Sequence, residues 1–182
     1  MNSWLWIGSQ PFASIPGIFG SYQATLGGVH DEGAAIARAA LVANPNELML
    51  YNNLAYCLLQ LGHLEEAETE IGRMEHLIKS DSDKVFLHAI RGLREFKHEN
   101  FEVARSFYRQ ADELTNDETL KAVAAITRAR DELRAGTKFA VTAVDEALVL
   151  ARRRVGTKEA RVASMSLLVE QLADDARAYG VE

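Results

Sequence analysis

The sequence predicts an all-α fold of stacked helix–turn–helix repeats, and three observations support this fold class. In two adjacent stretches that meet at Gly62, apolar residues expected to face the core recur at helical spacing, namely Leu50, Leu54, Leu58 and Leu61 before it, and Ala67, Ile71, Met74 and Ile78 after it. No proline follows Pro45, so long helices are permitted over the rest of the chain. Residues suited to helix-joining turns recur at intervals of 34, 37 and 37, and such a period is typical of helical arrays. These turn positions are Gly28, Gly62, Glu99 and Gly136.

The composition suits a soluble chain of one domain's length. It has 182 residues, a net charge of −6 and 48% hydrophobic residues. The acidic balance argues against general nucleic-acid binding, which usually needs a basic surplus. Cys57 is the only cysteine, so neither a disulfide nor a thiolate metal cluster is available. No apolar run approaches the roughly 18 residues of a membrane span. We therefore expect a cytoplasmic protein with no cofactor, no metal, no nucleic-acid partner and no membrane partner.

Residues 1–16 differ from the rest of the chain and are interpreted as an irregular, aromatic-rich segment. They contain both tryptophans, and the first basic side chain of the protein is Arg38. Side chains this apolar are expected to cap the open end of the helical core. The alternative is contact with a partner or self-association into a homo-oligomer, through Trp4, Trp6 and Phe12.

The stretch Tyr51–Met74 resembles the tetratricopeptide repeat, a helix–turn–helix unit of 34 residues. The Trp, Leu, Gly and Tyr slots of its first helix hold Tyr51, Leu54, Ala55 and Leu58, and the Ala-x3-Phe slots of its second helix hold Ala67 and Ile71. The resemblance implies a tetratricopeptide-like α-solenoid of about three to four repeats. We place these repeats in residues 17–154 and a C-terminal capping helix in residues 155–182.

The neighbouring repeats match the pattern less completely. In the first repeat, small residues occupy the slots of the first helix from Gly17 to Ala24, which predicts a short or irregular helix over 17–27. In the third repeat, Ser82 or Asp83 is the expected N-cap of the first helix. The side chains expected to face the core are Phe86, Ile90, Leu93 and Phe96 in the third repeat, and Leu120, Val123, Leu133, Val144, Ala147 and Leu148 in the fourth.

The last helix is predicted over residues 157–179, with a polar outer face that keeps the end of the array soluble. Thr157 is its expected N-cap. The inward residues are expected to be Ala163, Leu167, Leu168 and Leu172, and the outward residues Gln171, Asp174, Asp175 and Arg177.

No arrangement of catalytic or metal-ligating residues is evident, so the sequence predicts that the protein is not an enzyme. None of the five histidines belongs to an H-E-x-x-H motif, and no glycine-rich phosphate loop or G-x-S-x-G elbow is present. The arginine run 152–154 ends a helix, where cations complement the helix dipole. Without interleaved aromatic residues, this run is weak evidence for nucleic-acid binding.

The resemblance also implies a binding groove, since the first helices of successive tetratricopeptide repeats line a concave face that holds a peptide. The residues expected to line this groove are Met49, Asn52, Tyr56, Gln60, His88, Arg91, Arg94, Lys121 and Arg128. Amides, one aromatic ring and several cations suit an extended or acidic peptide. A clamp for a chaperone carboxylate is not expected, because only Asn53 matches that pattern and Ile18 and Tyr22 occupy the other slots.

Two functions are consistent with these patterns. The first is a non-catalytic protein–protein interaction module, an adaptor or scaffold that holds a peptide or protein segment on the concave face. The alternative is a self-associating assembly or regulatory domain of a larger complex, which would use the aromatic N-terminus.

Overall fold

The computed structural model describes residues 14–157 and 164–181. Nine helices and no strand occur within these ranges, and none of the helices is long and apolar enough to cross a membrane. The helices are α1 (Ser14–Leu26), α2 (His30–Ala43), α3 (Leu48–Leu61), α4 (Leu64–Glu75), α5 (Asp81–Lys97), α6 (Phe101–Glu113), α7 (Glu118–Arg134), α8 (Ala140–Arg152) and α9 (Met165–Ala178). The predicted all-α fold of tetratricopeptide-like repeats is confirmed. The chain divides after Asp83 into two compact units.

In the first unit, α1 packs on α2 and α3, α2 packs on α3, and α3 packs on α4. The predicted apolar stripes of the α3–α4 hairpin are largely confirmed. Leu61 and Ile78 are exceptions and are only partly buried, because they lie at the end of α3 and beyond the end of α4. The confirmed buried residues are Leu50, Leu54, Leu58, Ala67, Ile71 and Met74.

The expectation of a short or irregular helix over residues 17–27 is wrong, since α1 is regular from Ser14 to Leu26. Its small residues are explained by packing. A Cβ atom at Gly17 would lie 2.3 Å from the Cβ of Ala40, so glycine allows α1 to approach α2 closely. Ser21 is buried, and its hydroxyl donates to the carbonyl of Gly17 at 2.8 Å. This bond satisfies the polar group within the core.

All four predicted helix-joining turns have a residue with positive φ, as expected for a left-handed C-terminal cap. The φ angles are 73° at Gly28, 81° at Gly62, 62° at Glu99 and 60° at Gly136. Glu99 is the one residue of these four that is not glycine. A residue with a side chain is strained at positive φ, whereas glycine is not. The amide of the following residue, Asn100, donates to the carbonyl of Glu95 at 2.9 Å and closes the turn.

In the second unit, α6 packs on α7, α7 packs on α8, and α9 packs on α7 and α8. The rings of Phe96 in α5 and Tyr108 in α6 lie 6.3 Å apart in the core of this unit. The predicted N-cap of α5 is wrong by two or three residues. Ser80 caps the helix, because its hydroxyl accepts from the amide of Asp83, whose carboxylate accepts from the amide of Ser80.

Several core residues predicted for this unit are confirmed, namely Ile90, Leu93, Phe96, Leu133, Val144 and Ala147. Phe86, Leu120, Val123 and Leu148 are only partly buried, so the expectation that they face the core is wrong. The apolar residues on the buried side of α7 are Ala122, Ile126, Ala129 and Leu133. Only Leu133 of these was predicted, because the sequence pattern did not select the two alanines that face the core.

The last described helix is shorter than the predicted one and begins at Met165, so Thr157 does not cap it. Leu168 and Leu172 are buried as expected, but Leu167 is 40% exposed, and Ala163 lies outside the described residues. Asp175 does not simply face solvent. Its carboxylate accepts from Nε of Arg130 in α7 at 2.6 Å, so this polar side chain helps to hold α9 in place.

Candidate protein-interaction site

In the first unit, the predicted groove residues Met49, Asn52, Tyr56 and Gln60 recur every three or four residues along α3 and are all partly exposed. Tyr56 also contacts His30 of α2 edge-to-face, with ring centroids 6.0 Å apart. Helical spacing therefore brings the four residues to one side of α3.

Asn53 is adjacent to this face and is committed to the structure. It is 6% exposed, and its Nδ2 donates to Ser21 Oγ at 2.9 Å and to the carbonyl of Ile18 at 3.1 Å. Both acceptors belong to α1. Asn53 thus ties α3 to α1, and its amide is not presented as a clamp for a carboxylate would require.

In the second unit, Lys121 and Arg128 both line a groove over α7, which we call the α7 groove. It has a volume of about 720 Å³. Ala124 and Ala125 of α7 line it, and we call these two alanines its floor; the aliphatic side chains of Val149 and Leu150 line it from α8. The residues that line it from the two neighbouring helices, its sides, are Tyr108, Arg109, Asp112 and Glu113 of α6, and Asp145, Glu146, Val149 and Leu150 of α8. The floor is therefore apolar and small, and the sides carry both signs of charge.

The two predicted cations of the α7 groove are already paired. Lys121 Nζ lies 3.4 Å from a carboxylate oxygen of Asp112, and the Arg128 guanidinium donates to Glu146. Arg109 is the third cation, against the four carboxylates that line the groove. An acidic peptide would have to displace these internal partners. The structure therefore does not support the acidic preference that the sequence suggested for these residues.

The remaining predicted groove residues are on α5 and do not line the α7 groove. His88 and Arg91 lie against Phe107 of α6, with the His88 ring centroid and the Arg91 Cζ each 5.8 Å from the Phe107 ring. Burial lowers the pKa of His88, and the charges of Arg91 and Lys84 lower it further. Arg94 Nε donates to Glu95 at 3.0 Å. These side chains form a second partly exposed patch of the same unit.

The sequence analysis did not identify a cavity of about 570 Å³ beside the α5–α6 and α7–α8 turns. Phe139, 40% exposed, is the more exposed of its two aromatic residues. Its ring lies 4.3 Å from the Arg105 guanidinium carbon and 5.1 Å from the Lys138 ammonium, within the range of cation–π interactions. The signal for this cavity in the sequence was Phe139 itself, an aromatic residue that follows the turn at Gly136.

Three buried carboxylates in the second unit also have structural partners. Glu132 is 1% exposed and accepts from Arg105 Nε at 2.6 Å and Nη2 at 2.9 Å. Glu95 accepts from Asn100 Nδ2 at 2.8 Å. Asp131 accepts from the Tyr108 hydroxyl at 2.8 Å, while its burial raises its pKa to about 6. These carboxylates join helices and turns, and none of the three lines the α7 groove, although Tyr108, the partner of Asp131, does.

Among the described residues, no group of histidine, cysteine and acidic side chains is arranged to hold a metal ion. Trp4, Trp6 and Phe12, which the sequence analysis selected for self-association, lie outside the described residues.

Part of the chain is similar to a known protein family. A family model described as tetratricopeptide repeat matches residues 36–69, which include the whole of α3 and the turn at Gly62. The matched segment begins within α2 and ends within α4. The match overlaps Tyr51–Met74, the stretch whose sequence resembles the tetratricopeptide repeat. No curated protein and no solved structure matches the chain.

Proposed function

We propose that this chain, in which residues 36–69 form a tetratricopeptide repeat, is a non-catalytic adaptor that binds a segment of a partner protein. Repeats of this family generally mediate protein–protein interaction and are typically non-catalytic. The partner would lie along first-helix faces, in particular on the α7 groove of the second unit.

The α7 groove is the observation that carries this proposal. Two of the residues predicted from the repeat pattern, Lys121 and Arg128, line it. Its alanine floor would let the backbone of a partner helix or strand approach α7 closely, as small residues do at helix contacts. Ligand sites of this kind combine an apolar floor with a few polar groups that determine orientation.

The charges along the groove favour a partner segment of mixed character. The paired cations and carboxylates leave little net charge, so an amphipathic segment with small apolar residues and flanking polar residues fits better than a highly acidic one. Charged groups on the sides would then contribute mainly to specificity and to the rate of association.

The α3 face of the first unit, with Met49, Asn52, Tyr56 and Gln60, is proposed as a second contact surface. The α5 patch of His88, Arg91 and Arg94 is proposed as a third. Tyr56 and the arginines are the side-chain types that most often dominate binding energy at interfaces.

The test is a block of the α7 groove by Ala125→Arg, with Ala178→Arg as the matched control. Ala125 is on the groove floor, and Ala178 is an exposed residue at the end of α9. A partner captured from native cell extract by the wild-type chain would be purified and its affinity measured by calorimetry. We expect Ala125→Arg to weaken binding at least tenfold, a change of about 1.4 kcal/mol, and Ala178→Arg to leave it unchanged.

Equal affinity of all three proteins would refute the α7 groove as the binding site. Tyr56→Ala and Arg91→Glu would then test the α3 face and the α5 patch separately. If neither variant changes the affinity either, first-helix faces do not bind the partner.

A further inference from the structure

One side of α8 faces solvent and carries both aliphatic and charged residues. Val141 and Val149 are each 50% exposed, and Leu148 is partly exposed. Asp145 and Arg152 are exposed, and helical spacing brings them to the same side of the helix. We call these five residues the α8 face. Aliphatic residues grouped on one exposed side of a helix mark a contact surface more often than scattered ones do.

The two charged residues of the α8 face have no ion-pair partner among the described residues. Glu146 and Arg154, which are close by in sequence, differ in this respect, because both form ion pairs within the chain. The fold has therefore balanced the charges beside the α8 face and left those of Asp145 and Arg152 for a second molecule.

The order of these charges along α8 is complementary to itself. Asp145 lies near the middle of the helix and Arg152 is its last residue, about 10 Å further along the axis. Two copies of α8 that lie antiparallel about a two-fold axis can place Leu148 and Val149 at that axis. Asp145 of each copy then faces Arg152 of the other copy, and the aliphatic residues pack between the two ion pairs. The charge pattern that fits the α8 face is thus its own.

We propose that two copies of this chain associate through their α8 faces in an antiparallel arrangement, with Asp145 opposite Arg152 at both ends of the contact. A pair of 13-residue helices buries less than the about 800 Å² per partner of a standard interface, so the dimer is weak. Asp145 and Val149 also line the α7 groove, so pairing covers one side of it. The proposal does not rest on the function proposed above, because it concerns the purified chain alone.

The test is sedimentation velocity of the full chain from about 10 µM to about 1 mM, a range that brackets weak dissociation constants. Asp145→Arg and Arg152→Asp each place like charges opposite each other at both ends of the contact. In a mixed dimer of these two variants, every arginine of the contact would face an aspartate. Both variants keep a net negative charge, so mixing them introduces no general attraction between the chains.

The control is Glu170→Arg, because it changes the net charge as Asp145→Arg does, at an exposed position within α9. Far-UV circular dichroism would verify that every variant keeps its helices. We expect the wild type and Glu170→Arg to dimerise as the concentration rises. We expect each α8 variant alone to need at least about a tenfold higher concentration, and the equimolar mixture of the two to associate as the wild type does.

A wild-type chain that is monomeric over the whole range would overturn the proposal. So would a loss of association in Glu170→Arg, because net charge rather than the α8 face would then control it. If Asp145→Arg and Arg152→Asp each dimerise like the wild type, the contact uses another surface. If their mixture stays monomeric, the two helices do not pair in the antiparallel arrangement.

Discussion

Gly92→Ala tests how tightly α5 and α6 are packed in the second unit. A Cβ atom at Gly92 would lie 2.6 Å from Cε2 and 2.8 Å from Cδ2 of Tyr108. Tyr108 is only 4% exposed, so its ring has little room to move. Displacement of the ring would also disturb the bond from its hydroxyl to Asp131, which is 2.8 Å long.

The expected change in stability is the balance of three effects. Alanine in place of glycine within a helix would by itself stabilise by about 1 kcal/mol. Overpacking against a well-packed ring costs about 1–3 kcal/mol, and a weakened bond to a buried carboxyl group costs about 1–3 kcal/mol more. The net loss should be about 3 kcal/mol, the middle of a range of about 1–5 kcal/mol. For a unit of about 100 residues, such a loss lowers the melting temperature by roughly 10–20 °C.

The measurement is thermal and urea unfolding followed by circular dichroism, with Gly72→Ala as the control. Gly72 lies inside α4, and no atom is within 4 Å of a Cβ built there. The same substitution should therefore stabilise the chain by about 0.5–1 kcal/mol. If Gly92→Ala proves as stable as the wild type or more so, while Gly72→Ala behaves as expected, the close contact with Tyr108 is not a real constraint.

Three further predictions concern stability. Ala67→Asp should unfold the first unit, because Ala67 is fully buried and an unpaired carboxylate there would be costly; a melting curve like that of the wild type would contradict the assigned packing. Glu99→Gly should raise stability by about 0.5–1 kcal/mol in urea titrations, because the φ of 62° is unstrained for glycine, and no gain would argue against that backbone conformation. Burial raises the pKa of Asp131 in the folded protein to about 6. The stability that its protonated carboxyl group contributes is therefore present at low pH and is lost as the pH rises through that value. Asp131→Asn should therefore stabilise the protein more at about pH 7.5 than at about pH 5. An equal effect at both pH values would show that the pKa of Asp131 is not raised in the folded protein.

The sequence by itself determined the helical class, the repeat period and the four turns. These features follow from local rules, since each turn needs one residue that tolerates positive φ and each helix needs an apolar stripe. The match at residues 36–69 and the burial of Ala67 and Ile71 reflect the same local pattern. The sides of α3 and α7 that carry the proposed contacts could also be assigned, because helical spacing alone decides which residues share a side.

The tertiary structure decided everything that depends on a neighbouring helix. In the sequence, Gly17 indicated an irregular segment. In the structure, it permits a close contact between α1 and α2. Lys121 and Arg128 appeared as cations available to a ligand, yet their charges are balanced by Asp112 and Glu146 from α6 and α8. Asn53 matched a clamp residue but is used to hold α1. The sequence pattern specifies which types of side chain lie on a helix face. The charge and space that remain for a partner depend instead on the neighbouring helices, because the fold decides which of their groups lie within contact distance.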